Sequence, residues 1–170
     1  MPTGPGFAIR PATRADVPLL LDMIRRLAEY EQLAHEVVAT ESLLCEHLFD
    51  APRGAEAVLA FEADTAVGMA ICFHNFSTFL GRPGLYLEDL FVVPEARGRG
   101  YGKALMVHLA RTAKARGCGR FEWWVLDWNR PAIDFYRSIG AIGMDQWTVQ
   151  RVAGPALDAL AAQPLPGEAR

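Results

Sequence analysis

One junction constrains this chain more than any other part of it. Leu85 to Val93 is apolar except for Glu88 and Asp89, Pro94 ends the run, and Gly98, Gly100 and Gly102 follow at every second position. From about Tyr101 to Arg116 the pattern changes: Leu105, Leu109 and Ala113 share one helical stripe and Gly117 supplies a stop. The order is strand, glycine turn, helix. A strand so continuously apolar is expected to be buried on both faces, which calls for helices above and below a sheet.

The rest reads outward from there. Phe7 to Arg10 is a short strand ended by Pro11, and Thr13 caps a helix carrying Val17, Leu20, Leu21, Ile24, Leu27 and Ala28 at helical spacing. Thr40 opens a shorter helix with Leu43, Leu44 and Leu48. Ala57–Phe61 and Val67–Phe76 form a hairpin about Ala63-Asp64-Thr65, and Arg82-Pro83-Gly84 is a loop or turn. After the junction come a strand over Phe121–Leu126 and a helix opened by Asn129-Arg130-Pro131, running through Tyr136 and ended at Gly140. A last strand over Trp147–Val152 precedes a helical stretch around Ala156–Ala162. This order predicts an α/β fold, a mixed central sheet with helices on both faces.

At 170 residues, 51% of them hydrophobic, the chain suits one domain with one core. That domain is expected over 7–162, between loose tails at 1–6 and 163–170. A net charge of −3 argues against nucleic acid, which needs a concentrated basic face. No run approaches the roughly 18–20 apolar residues that span a bilayer, and the first residues are rich in Gly and Pro, unlike a signal peptide. Cys45, Cys72 and Cys118 are widely spaced with no C-x-x-C, as free thiols in a reducing compartment would be. A cytoplasmic protein with no nucleic-acid or membrane partner is the expectation. Cys45-x-His47 and Cys72-x-His74 supply no four-ligand spacing, so no metal is expected.

The glycine turn carries the chemistry. Alternate glycines before a helix expose backbone N–H groups, and the helix N-terminus adds partial positive charge, so the junction makes an anion site. Arg97, Arg99 and Lys103 add formal charge. The triphosphate pattern G-x-x-x-x-G-K-[ST] is absent. A dinucleotide site wants G-x-G-x-x-G and an acid about 20 residues on; here the third glycine is one residue early and Glu122 begins its strand rather than ending it.

Arg97-Gly98-Arg99-Gly100-Tyr101-Gly102 resembles the R/Q-x-x-G-x-G/A coenzyme A loop of the GNAT acetyltransferases. Further strings narrow the likeness: Ile9-Arg10-Pro11-Ala12-Thr13, Tyr86-Leu87-Glu88-Asp89, Asp127-Trp128-Asn129, Phe135-Tyr136 and Gly140-Ala141. Together they are similar to the diamine (spermidine/spermine) acetyltransferase subfamily and its thialysine acetyltransferase branch, from about Phe7 to Val152. The resemblance implies the GNAT fold, acetyl-CoA as co-substrate without a metal, a small-molecule amine as acceptor, and a homodimer.

Acetyl transfer from a thioester to an amine needs a neutral amine, a polarised carbonyl and a proton for the departing thiolate. An alkylammonium, with a pKa near ~10.4, is no nucleophile at neutral pH. Glu88 sits in an apolar strand, where an ionised carboxylate needs a purpose or a partner. Residues alone leave solvent exposure or an arginine pair open; the resemblance implies contact with the amine, directly or through water. Asp89, next in a regular strand, points to the opposite side and shares that role only if the strand bulges. By the same resemblance Tyr136, in Asn129-x-Pro131-x-x-x-Phe135-Tyr136, donates a proton to the coenzyme A sulfur. Main-chain N–H groups of Leu90, Phe91 and Val92 bind the acetyl and pantetheine parts. Asn129, Arg130, Pro131 and Ala132 contact the coenzyme A chain.

Tyr30 and Glu31, then Glu122, Trp123 and Trp124, match family positions that contact the amine; Asp89 is a further substrate-side charge. Two departures stand out. The polyamine enzymes carry an aspartate before a tryptophan where this chain has Ser77-Thr78-Phe79-Leu80-Gly81, and glutamates before the last strand where it has only Asp145-Gln146. Fewer acids favour a short diamine, thialysine-like or lysine-like amine over a long polyamine. The alternative is a non-catalytic acyl-CoA-binding or regulatory module on the same fold, which would need neither Glu88 nor Tyr136.

Overall fold

The computed structural model describes residues 6–167, so most of the expected tail at 1–6, and the last three residues of that at 163–170, lie outside the described residues. The chain divides into two compact units, Met1–Trp124 and Val125–Arg170.

The first unit is built on one five-stranded sheet. Its strands are β1 (Phe7–Pro11), β2 (Glu56–Glu62), β3 (Thr65–Ser77), β4 (Arg82–Val92) and β5 (Arg120–Trp123), in that spatial order. The first three pairings are antiparallel; β4 and β5 are parallel, from Gly84 opposite Arg120 to Leu87 opposite Trp123. The helices are α1 (Val17–Tyr30), α2 (Glu41–Phe49) and α3 (Tyr101–Ala115). The parallel pair needs a crossover, which α3 supplies.

Entry into α1 is fixed by Asp16. The Thr13 N–H donates to its carboxylate at 2.7 Å, and the Arg10 guanidinium reaches both its oxygens at 2.8 Å. Arg10 and Thr13 together hold this carboxyl well below the usual range. Val17, Leu20, Leu21, Leu27 and Ala28 are buried as the spacing predicts, and Met23 joins them. On β4, successive side chains face opposite ways: the Phe91 ring lies 5.8 Å from the Arg26 guanidinium of α1, while Val92 lies under Gly102 of α3. Helices therefore cover both faces of the mixed sheet, as expected.

Beyond shifts of one or two residues at the ends of β1, β2 and β3, the strands depart from the sequence reading in extent, burial and number. Arg82-Pro83-Gly84 belongs to β4 and pairs with Ser77, Phe76 and Asn75. Proline is tolerated there because it sits at the strand's start, before pairing to β5 begins. β4 is also not sealed on both faces: Leu85, Leu87, Phe91 and Val93 are buried, whereas Tyr86, Leu90 and Val92 are half-buried and Glu88 is exposed. β5 stops at Trp123, short of the expected Leu126. The strand expected over Trp147–Val152 does not form. Alternation marks a strand only where a neighbour takes its N–H and C=O groups; here Trp147 closes a turn on the Met144 carbonyl, and Trp147, Val149 and Val152 are exposed.

The second unit holds α4 (Arg130–Ser138) and α5 (Pro155–Ala161). Asn129 caps α4, its side-chain oxygen accepting from the Ala132 N–H at 3.3 Å, with proline in the first turn.

Candidate active site

Backbone conformation at the glycine turn follows from the residues that allow it. Gly98 and Gly100 have φ of +75° and +87°, and Gly100 forms the left-handed N-cap of α3. A Cβ at either would meet nothing within 4 Å, so the turn is open on that side. The first N–H groups of α3 have no intrahelical partner, so an open, amide-lined cradle results. It fits a diphosphate. Lys103 is exposed beside it.

Neither arginine of the turn is loose. The Arg97 Nε–H donates to the Val92 carbonyl at 3.0 Å, and its guanidinium lies 4.7 Å from the Tyr30 ring centre. Arg99 pairs with Glu62, which also accepts from the Tyr101 hydroxyl at 2.6 Å. Tyr101 itself is buried, its ring stacked on Phe7 at 4.8 Å, so toward any ligand it offers main chain only. Tyr30 thus rests on Arg97 of the glycine turn, while Glu31 next to it lies on the acidic side.

The acidic pair sits on a β-bulge. Ile71 pairs with Asp89 and Cys72 with Leu87, leaving Glu88 without an opposite residue. Alternation breaks there, so the rule that sends Asp89 to the far side does not apply. The burial argument also changes owner. Glu88 is exposed, and Asp89 is the desolvated carboxyl: burial, then the charges of Glu88 and Glu31, push it up to about 6. Burial raises Glu31 as well. Asp89 therefore lies within electrostatic reach of both its neighbour Glu88 and Glu31 at the end of α1.

The later strand behaves differently. Glu122 is already engaged, 2.7 Å from Arg120 Nε and accepting from the Asn75 amide at 3.0 Å. Trp123 packs against Phe121 at 5.0 Å, and Trp124 stands edge-on to Tyr86 at 5.9 Å. In the second unit, Tyr136 is half-buried on α4 with its ring 5.3 Å from Phe135, and Asn129 is buried. Arg130 and Pro131 are exposed at the start of that helix. Glu62 was not singled out in the sequence, because nothing near the end of β2 marks it. Among the described residues no group of three or more His, Cys, Asp or Glu is arranged to hold a metal, and no helix is long and apolar enough to cross a membrane.

Residues 21–141 match the model of the Acetyltransferase (GNAT) family. The chain belongs to that family. It is 34% identical to the thialysine N-epsilon-acetyltransferase of Sus scrofa, over 91% of this chain and 97% of that protein. It is 31% identical to the L-ornithine N5-acetyltransferase NATA1 of Arabidopsis thaliana, over 89% and 86%. An integron cassette protein from the mobile metagenome of V. cholerae superposes with a TM-score of 0.79 at 30% identity, covering 94% of this GNAT chain and all of the other. This GNAT protein is an amine N-acetyltransferase, and its family implies acetyl-CoA as co-substrate.

Proposed function

We propose that this enzyme acetylates a primary amine on a short diamine, thialysine-like or lysine-like molecule, with the 97–103 turn as the coenzyme A cradle. The observation that carries the acceptor class is the bulged carboxylate pair with Glu31 beside it, since a desolvated acid recovers most when a cation pairs with it. The two relatives' names fit: each acts on an amine carried by an amino acid.

Acetyl-CoA bound at the turn supplies the thioester acyl group. Glu88 relays a proton from the ammonium, and Asp89 with Glu31 holds the amine's positive charge. Tyr30, with Glu122, Trp123 and Trp124, completes the acceptor pocket. Main-chain N–H groups of Leu90, Phe91 and Val92 polarise the acyl oxygen. Asn129 and Arg130 to Ala132 steady the coenzyme A chain, and the Tyr136 hydroxyl protonates the departing thiolate. The reaction runs by direct transfer, without an acyl-enzyme. We extend the proposal to a homodimer, supported by the exposed Trp147, Val149, Val152, Leu157 and Leu160 of the second unit. Cytoplasmic residence is supported by the three free cysteines.

Thiol release from acetyl-CoA with ornithine, thialysine, lysine, short diamines and spermidine tests the acceptor class. Turnover with the short amines, and kcat/KM at least about ten-fold lower for spermidine, is the expected outcome. Coenzyme A binding without turnover of any amine would instead favour the non-catalytic module. Tyr136→Phe should lower kcat by about 10²-fold or more; an unchanged rate of the chemical step removes Tyr136 from its role.

A further inference from the structure

The glycine turn has almost no packing of its own. Gly98 and Gly100 have open space where a Cβ would stand, so the turn's shape depends on what its side chains grip. On one side Arg97 grips the Val92 carbonyl. On the other, Arg99 and the Tyr101 hydroxyl converge on a single oxygen of Glu62, at the end of β2. Tyr101 is further pinned by its stack on Phe7 of β1, and the Arg99 guanidinium lies 5.4 Å from its ring centre.

A carboxylate beside an anion cradle is unfavourable for an incoming diphosphate unless its charge is committed elsewhere. Here it is: two donors from either side of Gly100 share it. We infer that Glu62 is a positioning residue for the coenzyme A loop, stretching the turn from Arg99 to Tyr101 so that its main-chain N–H groups converge before any ligand arrives. Arg99 on this view is a tether that sets the turn's shape, and the backbone does the holding. The inference rests on the reading of residues 97–103 as the diphosphate cradle. Preorganisation of this kind improves binding by lowering the cost of ordering the loop. The opposing possibility has the opposite sign: if Glu62 merely competes with phosphate for Arg99, neutralising it tightens binding.

The test is coenzyme A affinity by titration calorimetry, with acetyl-CoA KM and kcat alongside, for wild type, Glu62→Gln, Arg99→Met and the double variant. Glu62→Gln should weaken coenzyme A binding and raise acetyl-CoA KM by about five-fold, with kcat at saturation and amine KM within about two-fold of wild type. The double variant should bind no more weakly than the weaker single variant, because both changes cut one tether. Affinity equal to or above that of wild type in Glu62→Gln overturns the inference. If that variant does not fold, Tyr101→Phe, which keeps the ring on Phe7 and removes only the hydroxyl, takes its place with the same expected weakening. Gly100→Ala separates the two layers. If it leaves coenzyme A binding intact, the cradle reading itself fails; if it weakens binding while Glu62→Gln does not, only the role of Glu62 fails.

Discussion

The glycine turn and the acidic bulge flank the same end of β4, yet they are built on opposite principles. The turn is held open by tethers, Arg97 to the Val92 carbonyl and Arg99 to Glu62, and the Arg99 charge is already matched. At the bulge the charges of Glu88 and Glu31 bear on Asp89, which is left half-buried at a raised pKa. One region is relaxed as it stands; the other is strained electrostatically. On the proposed assignment, the anion site is prepared by geometry and the cation site by unmet charge.

Four experiments break or sharpen that contrast. Glu88→Gln should reduce kcat by about 10²-fold while leaving coenzyme A affinity within two-fold, as a proton relay requires; a comparable loss of coenzyme A affinity would mean that the regions are not independent. Next, Asp89→Asn should lower kcat/KM for the amine by about ten-fold at pH 7.5. The wild-type value should fall as pH drops through about 6, where Asp89 gains its proton, and the variant should lack that limb.

The third concerns stability. Asp89 titrates higher in the fold than its ordinary 3.8, so the folded protein holds a proton the unfolded chain has lost, and the stability this gives is lost as pH rises from about 4 through about 6. Asp89→Asn should therefore be more stable than wild type at pH 7.5, by ~1 kcal/mol, with the gain vanishing below pH 4. Thermal melts at both pH values check this; equal midpoints at pH 7.5 would deny that the bulge is strained. The smallest effect is expected at the contact joining the two regions. Tyr30→Ala should raise KM for acetyl-CoA and amine together by about three-fold, through loss of the Arg97 stack, whereas Tyr30→Phe should keep both.

Much of this was legible in the sequence, and the failures have definite causes. The turn and the stripe of Leu105, Leu109 and Ala113 are legible because local pattern and tertiary burial agree there, whereas the Leu85–Val93 strand is legible as a strand but not in its burial, which covers one face more than the other. The bulge was not legible: it is a slip between Ile71 and Cys72 on a neighbouring strand, and no spacing within β4 reveals it. The burial argument accordingly fell on Glu88 when it belongs to Asp89. Trp147–Val152 has a strand's alternation, but pairing is a property of two segments. Glu62 is visible only in the fold, since its partners lie 37 and 39 positions away.

The sheet order has a kinetic consequence. β2, β3 and β4 follow one another as a meander, while β1 and β5 are joined to it through α1 with α2 and through α3. Local hairpins close early and long connections late. The tethers of the glycine turn reach β1 through Phe7 and β2 through Glu62, so the cradle is complete only when β1 has docked and the α3 crossover has closed. During refolding, competence to bind coenzyme A should therefore trail the recovery of sheet signal, and ligand added early should pull forward the last step alone.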